Sequence, residues 1–132
     1  MIRFIAIDPS STASGWAVFE DQGLVAWGTI ETLKVQYAWR GRNLSALRVV
    51  FIAIQKWAKS VGLPFAAYNV ATWKNAVVGH VHASKETTKE NACYRFPRLP
   101  RDLSEHEYDA IAIGVYHSGV RYLEALAKGG SS

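Results

Sequence analysis

The sequence predicts an α/β fold in which a three-stranded antiparallel β-meander is followed by helices and at least one further strand. Two observations predict it. Short apolar runs bounded by turn residues fill the chain as far as Ile30, and beyond Leu44 the apolar residues recur at three- and four-residue steps instead. No repeat or linker divides the chain, so residues 1–128 are expected as one domain and the Gly-Gly-Ser-Ser at 129–132 as a flexible tail.

The first strand is read from Ile2 to Ile7, where Ile-Arg-Phe-Ile-Ala-Ile runs into the turn residues Asp8-Pro9-Ser10-Ser11. Gly15 to Glu20 and Leu24 to Ile30 are the second and third, and the Gly of Asp21-Gln22-Gly23 suits the tight hairpin between them. Leu44, Leu47, Phe51, Ile54, Ala58 and Val61 make the apolar stripe of a helix that Gly62 and Pro64 end. Phe65 to Asn69 is expected as the further strand. Ser84 to about Tyr94 is expected as a helix, with Thr87 and Glu90 at capping-box spacing, broken by Pro97 and Pro100. Ser104 and Glu107 have the same spacing and open a helix that buries Tyr108 to Tyr116 and continues to about Leu126.

Of the 132 residues, 49% are apolar and 20% charged, enough for a core without disulfides or structural metal. Disordered and fibrous classes are excluded. The single Cys93 excludes an intrachain disulfide framework and a Cys-rich zinc site, in keeping with a reducing, intracellular setting. The longest apolar runs are about half the ~20 residues a bilayer requires, and Asp8 interrupts the only early one, so neither a membrane span nor a signal peptide is expected. Charge is unevenly placed. Thr32 to Arg101 holds twelve Lys or Arg against two acids, Glu86 and Glu90, whereas residues 1–31 hold one basic residue against four acids and residues 102–132 two against five. Either the basic residues are solvated faces, or an acidic site faces a polyanion.

Asp8 follows a buried strand directly, the place where open α/β sheets put ligands and metals, although an Asx-type cap on the Pro9-Ser10-Ser11 turn would use the same carboxylate. His106 and Asp109 lie three residues apart near the start of the last helix, so their side chains project to one side. Such a pair can ligate a divalent cation or share a proton with an attacking water. Glu105 and Glu107 there are explained by complementarity to the helix dipole. His80 and His82 lack a third zinc-type ligand and are read as loop residues. His117 is read as a satisfied helix residue, Trp73 as core, and Cys93 has no partner at nucleophile spacing.

Three ordered motifs carry a family resemblance. Ile-Ala-Ile-Asp8-Pro-Ser-Ser-Thr-Ala-Ser-Gly15-Trp-Ala-Val resembles the first strand and turn of RuvC-type Holliday junction resolvases, members of the RNase H-like superfamily. Trp73-Lys74-Asn-Ala-Val-Val-Gly79 with Ala83-Ser84-Lys85-Glu86 is similar to that family's lysine-and-glycine segment, and His106-Glu-Tyr-Asp109-Ala-Ile-Ala-Ile-Gly to its closing helix. The resemblance implies an RNase H-like fold, two Mg²⁺ or Mn²⁺ ions held by four side chains, and hydrolysis of a phosphodiester in branched DNA. Onto this sequence it carries Asp8, His106 and Asp109. A cytoplasmic protein of a bacterial cell or a phage is implied with it. The sequence departs from the family pattern in one respect: no helix and central strand ending in Glu precede the helix at Leu44. Glu31 is the only acid between Asp21 and Glu86 and so the nearby replacement as a ligand, but two strands from Asp8 it would stand roughly 10 Å away.

Arg40, Arg42, Lys74, Lys85 and Lys89 are the candidate phosphate contacts, Lys74 and Lys85 at basic positions of the family motif. Tyr37 and Trp39 either stack on bases at a branch point or pack on the sheet edge. Symmetric cutting of a four-way junction requires two related sites, hence a homodimer, with the helix from Leu44 to Val61 as its seam unless that stripe covers the sheet. Two other functions fit the same residues. One is a module of this fold that grips branched DNA without cutting it. The other is a nucleotide-binding fragment, since Asp8, Ser10, Thr12 and Gly15 approximate the phosphate-binding turn of actin-like and sugar-kinase ATPases.

Overall fold

The computed structural model describes residues 3–10, 12–31 and 46–129. Tyr37, Trp39, Arg40, Arg42, the first residues of the helix expected from Leu44 and the end of the tail lie outside the described residues. The sheet is built from β1 (Arg3–Asp8), β2 (Ala13–Glu20) and β3 (Gly23–Glu31), antiparallel throughout and in the order β1-β2-β3. Asp8 is the last residue of its strand and stands opposite Gly15, which in turn stands opposite Thr29. The hairpin between β2 and β3 is tight as expected, but Asp21 takes the left-handed backbone at φ 55°, not Gly23. Asp adopts that conformation more readily than most residues, and Gly23 instead begins the ladder opposite Glu20.

Among the described residues four helices follow: α1 (Ala46–Ser60), α2 (Val70–Trp73), α3 (Lys85–Arg95) and α4 (Glu105–Ala127). A π-helical turn over Lys74–Val78 extends α2 and ends at Gly79, whose φ of 96° is left-handed. Ser84, not Thr87, caps α3: its hydroxyl accepts the Thr87 N–H at 3.2 Å, which puts Thr87 inside the first turn. The capping box at Ser104 and Glu107 forms as its spacing predicts.

The strand expected over Phe65–Asn69 does not form. Residues 63–69 are irregular, and among the described residues β1 pairs with β2 alone. Local chemistry accounts for the difference. Pro64 has no N–H to give a ladder, Ala66 and Ala67 favour strand weakly, and the larger side chains are held elsewhere. Phe65 packs edge-on against Phe51 of α1, the Tyr68 hydroxyl hydrogen-bonds His117 Nδ1 at 2.6 Å, and the Asn69 side chain caps α2. A cavity of about 520 Å³ lies between β1 and this segment.

The core centres on α4. One side of it, with Tyr108 and Ile111, packs with Ala17 and Phe19 of β2 and with Ala92, Cys93 and Leu99 from α3 and the loop after it. Ala112 lies in a second cluster with Trp73 and Val77. The helix comes close enough to β2 that a Cβ on Gly114 would stand 2.0 Å from the Phe19 ring. Trp73 is 2% exposed, the core position expected of it, and His117 is satisfied by Tyr68 and packs edge-on against Phe4. No helix among the described residues is long and apolar enough to cross a membrane.

Candidate metal centre

The first turn of α4 is seated on the sheet by a set of small, specific contacts. A Cβ on Gly15 would stand 2.0 Å from the His106 carbonyl oxygen and 2.6 Å from the Glu107 nitrogen, so only glycine lets the helix backbone lie this close beside Asp8. Glu107 accepts from the Ser104 N–H at 3.3 Å and from the Thr29 hydroxyl of β3 at 3.2 Å, fastening the helix start to the far strand. Tyr108, buried, donates to the Pro100 carbonyl at 2.8 Å and accepts the Leu103 N–H at 3.1 Å. The loop entering α4 is thereby held as well.

This seating brings His106 to Asp8. His106 Nδ1 lies 2.9 Å from Asp8 Oδ2. An ionised carboxylate only accepts, so Nδ1 carries the proton and the neutral ring keeps its lone pair on Nε2. Asp8 is thus turned toward the helix, while the turn after β1 is closed by Ser14, whose hydroxyl accepts the Ser10 N–H at 3.0 Å. Burial pushes the Asp8 carboxyl above its usual range, against the pull of its hydrogen bond to His106. Asp109, one turn further in, is raised from 3.8 to about 6, first by burial and then by the negative charge of Asp8. Two partly desolvated carboxylates from distant parts of the chain therefore repel one another at the end of β1.

Two lysines lie near this pair. Lys74, first residue of the π-helical turn, lowers the Asp109 pKa by its charge. That turn is clipped to α3 where Asn91 Nδ2 donates to the Val77 carbonyl at 3.0 Å. Lys85, at the start of α3, pairs with Glu105 through Nζ to Oε2 at 2.6 Å. Lys89 lies one helical turn beyond Lys85 on α3. Lys74 and Lys85 are therefore brought to the acidic pair, and Arg40 and Arg42 lie outside the described residues.

Glu31 stands apart. It is exposed at the end of β3, opposite Ala13 and two residues past Thr29, which lies level with Asp8 two strands away. Glu105, assigned at the level of sequence to the helix dipole alone, is the acid found near the cluster: its Oε1 lies 3.8 Å from His106 Nε2 and its charge raises both Asp8 and Asp109. The signal that could have found it is its four-residue spacing from Asp109, which puts both on one helix face. His80 and His82 face each other in their loop, the His82 N–H donating to His80 Nδ1 at 2.9 Å, and Cys93 is buried in the core.

Among the described residues no three His, Cys, Asp or Glu side chains stand ready to hold one ion in common. The donor chemistry still fits a hard divalent cation. Asp8 and Asp109 offer carboxylate oxygens, Asp8 with Oδ1 beyond its bond to His106, and a cation between them would remove the repulsion that raises Asp109. Two carboxylates are what this pair offers one such ion.

Known structures share this architecture. The Thermus thermophilus RuvC structure matches with a TM-score of 0.71 at 20% sequence identity, over 93% of this chain and 97% of that chain. T. thermophilus RuvC in complex with Holliday junction substrate matches with a TM-score of 0.73, also at 20% identity, over 94% and 97%. This chain has a RuvC-type fold. No protein-family model and no curated protein matches its sequence. Within the RuvC-type fold of this chain, the Asp8, His106 and Asp109 cluster lies where the end of β1 meets the first turns of α4.

Proposed function

We propose that this chain is a divalent-metal-dependent endonuclease that hydrolyses phosphodiesters in branched DNA, four-way junctions above all. One observation carries the reading: Asp8 and Asp109, from opposite ends of the chain, are close enough for the charge of one to raise the pKa of the other, and His106 is hydrogen-bonded between strand and helix. Support comes from the fold, which this chain shares with a protein solved on a Holliday junction.

In this reading Asp8 and Asp109 hold Mg²⁺ or Mn²⁺. The bound ion supplies Lewis acidity at the phosphate and a more acidic water. His106 is held by Asp8 in the tautomer that leaves Nε2 able to accept a proton from the attacking water. Lys74, Lys85 and Lys89, together with Arg40 and Arg42, bind DNA phosphates. The protein acts as a homodimer of one domain, residues 1–128, with α1 at the seam. Trp57 and Val61, both more than half exposed on or just beyond α1, support that face, while Val50 and Ala58 of the same helix are buried.

The reading is tested with a labelled four-way junction, titrating Mg²⁺ and then Mn²⁺. Cleavage that Asp8→Asn and Asp109→Asn each abolish is the expected result. That no three preset ligands stand together among the described residues favours a second reading, a module that binds junctions without cutting them. Metal-independent binding with no product at any ion concentration would select it.

A further inference from the structure

The structure offers Asp109 a second carboxylate on its own helix. Glu105 and Asp109 are four residues apart on α4, so their side chains rise from one face one turn apart. Like charges so placed repel, and in this protein the repulsion is met by an ammonium from another element. Lys85 Nζ lies 2.6 Å from Glu105 Oε2, and the charges of both Glu105 and Asp109 act on it. The same Glu105 carboxylate reaches toward His106, with Oε1 3.8 Å from Nε2. Lys85 therefore stands over the acidic cluster as a cation supplied by α3.

We infer that Glu105 is the third carboxylate of the metal centre and that Lys85 is its exchangeable counter-ion. When a divalent ion is bound by Asp8 and Asp109, Glu105 exchanges the ammonium for the ion, and Lys85 is released to a DNA phosphate. The inference rests on the metal-dependent reading above. Dipole complementarity explains an acid in the first turn of α4 but not why a lysine from a separate helix clamps it. The clamp is also weak enough to exchange. Its side chains are 81% and 39% exposed, and pairs so solvated contribute little to stability. Asp8 and Asp109 offer one ion only two carboxylates, and hard cations take oxygen donors in greater number.

The experiment is Mn²⁺ binding to the full chain without DNA, followed by electron paramagnetic resonance. It is run on the wild type, Asp109→Asn, Glu105→Gln, Lys85→Met and the Glu105→Gln/Lys85→Met double variant. Glu105 and Lys85 are solvated enough that neither change disturbs the core, which circular dichroism checks. We expect Glu105→Gln to weaken Mn²⁺ binding on the order of tenfold or more. Lys85→Met should tighten it when Glu105 is present and leave it unchanged when Glu105 is already Gln. Binding that Asp109→Asn abolishes but Glu105→Gln leaves within about twofold overturns the inference and keeps the metal centre. A Lys85→Met effect equal in both backgrounds overturns the exchange, because diffuse electrostatics add and a shared contact does not. No Mn²⁺ bound by the wild type overturns the metal centre itself, and this inference with it.

Discussion

At the scale of single residues the chain keeps a costly group in place. Asp109 is raised to about 6 by burial and by Asp8, so the folded protein holds that proton more tightly than the unfolded chain, whose carboxyl titrates near 3.8. The cost of ionising it in place is therefore fully present above about pH 6 and disappears below pH 3.8. Asp109→Asn removes a partly buried charge with little change of shape. In a metal-chelating buffer at pH 8 we expect the variant to be more stable by on the order of 1 kcal/mol, after allowing for partial solvation, which raises the melting temperature by a few degrees. At pH 3.5 the advantage should vanish, and saturating Mn²⁺ should raise the melting temperature of the wild type alone. Thermal melts at the two pH values check this, and a variant less stable at pH 8 would mean that the carboxylate has partners of its own. At Mn²⁺ concentrations well below saturation, metal binding should weaken as pH drops through about 6, because a protonated Asp109 cannot hold a cation. Asp8 and Asp109 were legible in the sequence because each marks a junction between a polar turn and a buried run. Glu105 was hidden because the dipole gives any acid in a first turn a sufficient reason to be there.

Elements decide whether those residues meet. The end of β1 and the first turn of α4 are brought together across β2, and Gly15 is the position where they touch. Gly15→Ala puts a methyl group into the backbone of His106, which cannot turn aside as a flexible side chain could. The helix start must lift from the sheet, at about 1–3 kcal/mol or more. We expect the His106 to Asp8 hydrogen bond to be lost and Mn²⁺ binding to weaken, while Phe19 and Ile111 remain packed around the middle of α4. Chemical denaturation gives the stability, and the NMR signal of the His106 Nδ1–H proton shows whether Asp8 still accepts its hydrogen bond. An unchanged signal would mean that the helix start tolerates the methyl group. The meander, α3 and α4 were readable because periodicity and capping agreed locally, as with Ser104 and Glu107. Phe65–Asn69 misled because its apolar residues resemble a strand but satisfy neighbours separately: Phe51 takes Phe65, His117 takes Tyr68, and α2 takes Asn69. What a strand needs is a ladder partner, and residue pattern alone cannot supply one.

Over the whole molecule, opposite charges are sorted by sequence and then interleaved by folding. The acidic ends of the chain meet at Asp8, Glu105 and Asp109, and the basic middle contributes Lys74 and Lys85 to the rim of that cluster. In the proposed function, a DNA backbone approaching the rim would be drawn by the lysines and repelled by the carboxylates until a cation is bound. Junction affinity should therefore fall steeply with salt, and Lys89→Ala should reduce the slope of log affinity against log salt by about one unit. Asp8→Asn sets the two halves of this field against each other. With metal chelated, loss of one carboxylate facing the phosphate should strengthen junction binding by on the order of 1 kcal/mol, roughly fivefold, even as it abolishes cleavage. Electrophoretic mobility shifts measure both effects. If Asp8→Asn weakens metal-free binding instead, the carboxylate does not face the DNA, and the lysines on the rim serve another surface.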